Sequence, residues 1–87
     1  MIDLSFKRTN VVKNNPYHPE LIGEVTWESS NCKIIEEFLG GVTSKNRYSI
    51  YIREEYIGKF HTDFAKSMAN QIKTVILEKF PNETFSI

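Results

Sequence analysis

Apolar and polar residues alternate along much of this chain, and the alternation assigns most of its elements. Ile2, Leu4 and Phe6 alternate with Asp3, Ser5 and Lys7, which is the period of a strand with one buried face. Val11 and Val12 either extend that strand or begin a bend. Residues 13–19, KNNPYHP, break both helix and ladder with two prolines and two asparagines, so they read as a loop. A second strand is predicted over Leu21–Glu28, with Leu21, Val25 and Trp27 on one face and Glu24, Thr26 and Glu28 on the other. Gly23 inside it marks a bulge or a close contact. The third and fourth strands are predicted over 47–53 and 56–61. In the third, Tyr48, Ile50 and Ile52 alternate with Arg47, Ser49, Tyr51 and Arg53. The turn near Glu54 and Glu55 lacks Asn-Gly or a related pair, which leaves the register of this hairpin open.

Two stretches change period. Ser29, Ser30 and Asn31 are good N-cap residues, and Ile34, Ile35, Phe38 and Leu39 fall on one side of a helix drawn over Cys32–Leu39. Gly40-Gly41 would end it. So short a helix requires docking on the sheet. Ala65, Met68, Ala69, Ile72, Val75, Ile76 and Phe80 form a longer stripe at helical spacing, capped by Thr62, with Asp63 in the first turn and Pro81 as the stop. The tail, 82–87, either frays or adds an edge strand. The expected fold is therefore α+β in a single small globular domain over residues 1–87. It is a single-layer antiparallel four-stranded sheet, in the order β-β-α-β-β-α, with a short helix and a long C-terminal helix packed on one face. Met68, Ile72 and Ile76 are expected against Leu4, Phe6, Val25, Ile50 and Ile52, and core packing is the expected role of Trp27.

Composition narrows the function classes. The hydrophobic fraction of 40% is that of a globular chain. Lys plus Arg and Asp plus Glu each number 11, giving no net charge and weighing against binding driven mainly by phosphate neutralisation. The single Cys32 has no internal disulfide partner and reads as a small buried hydrophobe. Charges interrupt the apolar residues of MIDLSFKRTN, so it lacks a signal-peptide core, and no apolar run approaches the roughly 20 residues that span a bilayer. The expectation is a cytoplasmic protein without a membrane partner, in the host cytoplasm if it is viral.

No catalytic constellation emerges from spacing, and no enzyme activity is expected. One Cys and two His fall short of a structural zinc set, so no metal and no cofactor is expected. Glu36-Glu37 and Glu54-Glu55 are adjacent pairs whose side chains diverge, which separates them from a general acid–base pair. The alternation does create one chemically distinct surface. Arg47, Tyr51 and Arg53 share a face of the third strand, and Lys59 and His61 join them if the hairpin register matches. Arg and Tyr together are the composition of interaction hot spots. Tyr17 and His18, between two prolines, make a secondary candidate binding loop.

The run Tyr56-Ile57-Gly58-Lys59-Phe60-His61-Thr62, followed by a helix with Ala65 and Ala69, resembles the last strand and helix start of AP2-type and integrase-arm DNA-binding domains. The resemblance implies a sheet laid in the major groove and backed by a helix. The family's acidic-acidic-Ala-Ala helix start is absent, and the first half of the chain is unlike it. Two functions follow as expectations. The first is a small non-enzymatic binding protein, phage- or mobile-element-encoded, that inhibits by occluding a host protein in a counter-defence or immunity-like role. The alternative is a nucleic-acid-binding module that uses the outer face of the 47–61 strand pair.

Overall fold

The structure, a computed structural model, describes residues 1–13, 21–39, 46–62 and 68–87. Its elements are β1 (Ile2–Asp3), β2 (Lys7–Lys13), β3 (Leu21–Glu28), β4 (Cys32–Leu39), β5 (Asn46–Ile52), β6 (Glu55–Thr62), α1 (Met68–Lys79) and β7 (Phe85–Ser86). Strands β2-β3-β4-β5-β6 form one five-stranded antiparallel meander, and β1 pairs with β7 in a separate two-stranded parallel sheet. This corrects the expected four-stranded sheet with two helices. The five-stranded sheet has one more strand than expected, and the described residues hold one helix, of 12 residues.

The missing helix is β4. Residues Cys32–Leu39 pair with β3 on one side and β5 on the other. Tertiary pairing overrides the short helical pattern here, because β-branched Ile34 and Ile35 suit a pleated surface and eight residues would make a marginal helix. The residues read as an N-cap perform similar chemistry in a hairpin turn. The Ser29 hydroxyl accepts from the Cys32 amide at 3.1 Å, and the Ser29 amide donates to the Cys32 carbonyl at 2.8 Å. Asp3 fastens this turn to the N-terminal segment: its carboxylate accepts from the Ser30 amide and hydroxyl, and its own amide donates to Asn31 Oδ1 at 3.0 Å. Hydrogen bonds from Ser5, then Ser30, hold the Asp3 carboxyl down at about 2.

The first expected strand is split into β1 and β2, although Leu4 and Phe6 between them still pack on the core. The tail supplies β7, placing Ile2 opposite Phe85. Gly23 does mark a bulge, since the β3–β4 register slips between Leu21 and Gly23. The helix stripe is narrower than expected. Met68, Ile72, Val75 and Ile76 pack on the core, whereas Ala69 and Phe80 are exposed. Thr62 is the buried last residue of β6, while Asp63 and Ala65 lie outside the described residues.

The core lies between α1 and one face of the sheet. Ile34, Tyr48, Ile50, Ile52 and Phe60 project from that face to meet Ile2, Ile72 and Ile76. Leu4, Phe6, Ile50 and Ile52 share this cluster with Met68, Ile72 and Ile76 as expected, while Val25 is buried outside it. Tyr48 and Phe60 stack with centroids 4.9 Å apart. The helix lies so close to β6 that a Cβ at Gly58 would meet Val75 Cγ1 at 2.8 Å, which explains a glycine in mid-strand.

Candidate interaction face of the sheet

The face of the meander turned away from α1 is built in three cross-strand rows. The first runs Lys7, Glu28, Lys33, Tyr51, Tyr56; the second Asn10, Thr26, Ile35, Ser49, Lys59; the third Val12, Glu24, Glu37, Arg47, His61. Four of the five sequence-predicted residues therefore come together here: Arg47 opposite His61, Lys59 opposite Ser49, and Tyr51 two residues beyond Ser49 along β5. The fifth, Arg53, sits at the hairpin tip rather than on the face. The secondary loop residues, Tyr17 and His18, lie outside the described residues.

Their environments differ. Arg47 is engaged in a two-pronged ion pair with Glu37, from Nε to Oε1 at 2.9 Å and from Nη2 to Oε2 at 2.8 Å. That geometry commits its guanidinium to the sheet surface. Lys59 and His61 are exposed. Tyr51 is half-buried between Lys33, whose Nζ lies 5.0 Å from its ring centroid, and Tyr56, whose ring meets it edge-on at 5.5 Å. Each such contact adds on the order of 0.5–1.5 kcal/mol to burial alone. The face thus has an aromatic pair at the β5–β6 end of its first row, with Lys33 beside it in that row and Lys59 in the next.

Lys33, Ile35 and Glu37 were missed because β4 was read as a helix. The period-two reading of the same segment, with Cys32, Ile34 and Phe38 inward, would have found them. Tyr56 was missed for another reason. The β5–β6 register slips between Ile50 and Tyr51, so Gly58 faces Ile50 while Tyr56 faces Tyr51. Strict alternation would have placed Tyr56 on the core side; the bulge brings it onto the open face.

The tip of this hairpin is a two-residue loop with Ile52 opposite Glu55. Arg53 and Glu54 both have positive φ, 49° and 70°, the backbone of the loop type usually made by Asn-Gly. Both are non-glycine residues in a region that costs about 1–2 kcal/mol each. Glu54→Gly is accordingly expected to raise unfolding free energy by about 1 kcal/mol, measured by denaturant titration. A loss of stability would show that Glu54 holds the turn by its side chain.

The adjacent Glu36 and Glu37 are split across the sheet. Glu37 faces outward to Arg47, and Glu36 inward, where it accepts from Trp27 Nε1 at 3.2 Å, from the Tyr48 hydroxyl and from Asn46 Nδ2 at 3.4 Å. Cys32 is buried in the core, and burial pushes its thiol up to about 11, away from nucleophile chemistry. Among the described residues no group of three or more His, Cys, Asp or Glu is placed to hold a metal ion, and no helix is long and apolar enough to cross a membrane.

No family model, curated protein or solved structure matches the chain.

Proposed function

We propose that this chain is a non-enzymatic binding protein that occludes a protein partner, as an inhibitor does, with the outer face of its sheet. The observation that carries the reading is the composition of that face. Tyr51, Tyr56 and Ile35 supply flat aromatic and apolar contact. Around them Lys7, Lys33, Arg47 and Lys59 stand beside Glu24, Glu28 and Glu37. Rigid tyrosines within charges of both signs fit a protein surface, where each charge finds a complement. They fit a phosphate backbone poorly, because three carboxylates would face it. The nucleic-acid alternative draws only on the β5–β6 side, where Lys59 and His61 are exposed and α1 backs β6.

The test is affinity capture from lysate with and without nuclease, comparing wild type with a Tyr56→Ser, Lys59→Glu double variant. Both positions are exposed, so the expected loss of stability is confined to the Tyr51–Tyr56 edge contact, about 0.5–1.5 kcal/mol, and the variant stays folded. Arg47→Glu is unsuited to this purpose because it would set a third carboxylate beside Glu24 and Glu37. The expected result is nuclease-resistant capture of one protein, lost in the double variant. Capture abolished by nuclease and falling steeply with salt would replace this reading with the nucleic-acid one. Wild-type capture by the double variant would remove the face from consideration.

A further inference from the structure

Among the described residues, the opposite side of the sheet ends in a strand with one edge unpaired. In the order β2-β3-β4-β5-β6, β2 has a neighbour on one side only, and among the described residues no backbone hydrogen bond reaches its other edge. Residues 7–12 are all exposed, including Val11 at 45% and Val12 at 39%. An edge of this length presents a row of free donors and acceptors that templates another strand.

Charge decides what that strand is. Lys7, Arg8 and Lys13 are cationic, and β2 contains no carboxylate. A second copy is a poor occupant. Two-fold antiparallel pairing about Asn10 would set Lys7 against Lys13 of the other chain at both ends of the ribbon, and like charges directly opposite destabilise a ladder. An acidic strand reverses the electrostatics while keeping the backbone bonds and the contact with the valines.

We infer that the β2 edge accepts an extended acidic segment of a protein partner as a sixth strand, its carboxylates at the ladder positions opposite 7, 8 and 13 and its apolar residues at those opposite Val11 and Val12. The backbone gives affinity without sequence, and the order of cations and valines along β2 gives the selectivity. Lys7 belongs to both surfaces, but the edge lies across the sheet from Tyr56 and Lys59 on β6, so substitutions there test the outer face without touching the edge.

The experiment titrates a blocked heptapeptide, Glu-Val-Val-Thr-Thr-Glu-Glu, into the full chain and follows backbone amide exchange by NMR. Its counterpart with Lys in place of each Glu is the control. New protection confined to residues 7–13 is expected with the acidic peptide and none with the basic one. The triple variant Lys7→Gln, Arg8→Gln, Lys13→Gln is expected to weaken binding about tenfold. The Tyr56→Ser, Lys59→Glu variant is expected to bind the peptide as wild type does, which separates this inference from the outer-face reading. Absence of new protection in residues 7–13, or equal binding of the basic peptide, overturns the proposal. So does sedimentation showing a dimer whose β2 amides are already protected without peptide, since the edge would then belong to a second copy.

Discussion

Ile72→Ala is expected to lower the unfolding free energy by about 2–5 kcal/mol, the range for deleting a large buried aliphatic group that leaves a cavity. Ile72 is 1% exposed, and it joins Ile34, Ile50 and Ile76, each fully buried, in the layer between α1 and the sheet. The closeness of Val75 to Gly58 holds the helix at a fixed distance, so the layer has little freedom to collapse into the void. Against a total stability of about 5–10 kcal/mol for a chain of this size, the variant would be partly unfolded at physiological temperature. Urea titration with an unchanged slope would assign the loss to the native core. Leu77→Ala serves as the control. Leu77 is 37% exposed on the same helix, and its loss should stay below about 1 kcal/mol.

The parts of the fold legible in the sequence are those where hydrophobic period and burial agree. Tyr48, Ile50 and Ile52 alternate in the chain and are buried in the structure. The helix was legible from Ile72 and Ile76, whose four-residue spacing reaches the core, but the stripe overreached at Ala69 and Phe80. β4 was not legible, and Glu36 explains why. An inward alternation of Cys32, Ile34, Glu36 and Phe38 contains a carboxylate, which breaks the apolar pattern of a strand. The partners that make this carboxylate tolerable, Trp27 and Tyr48, are 9 and 12 residues away in sequence. No local window contains them all. The candidate face shows the same division. Arg47, Tyr51, Lys59 and His61 follow from alternation within one hairpin, whereas Lys33 and Tyr56 depend on cross-strand pairing and on a bulge. Arg53 was misplaced because the two-residue turn begins with it.

Glu36 is also where removing one side chain orphans several others. Glu36→Ala leaves the Trp27 indole N–H, the Tyr48 hydroxyl and the Asn46 amide without their shared acceptor. A loss of about 2–4 kcal/mol is expected, since partly buried donors stripped of a partner keep their desolvation cost. Glu36→Gln retains a carbonyl acceptor and should lose less. A readout specific to this network is the titration of Tyr48, whose pKa is raised from 10.0 to about 12, first by burial and then by the Glu36 hydrogen bond and charge. Because the folded value is the higher one, the stabilisation by neutral Tyr48 is fully present below pH 10 and is lost as pH rises from 10 to about 12. Removing Glu36 takes away both the carboxylate that accepts the proton and the charge that opposes the phenolate. Tyr48 in the alanine variant is therefore expected to ionise at lower pH, and alkaline unfolding to begin earlier, while burial still holds the value above its ordinary one. Phenolate absorbance followed through alkaline titration checks this, and an unmoved Tyr48 transition would mean that burial alone sets it. The same carboxylate, accepting on β4 from Trp27 of β3 and from Tyr48 and Asn46 of β5, ties three neighbouring strands together on the core side.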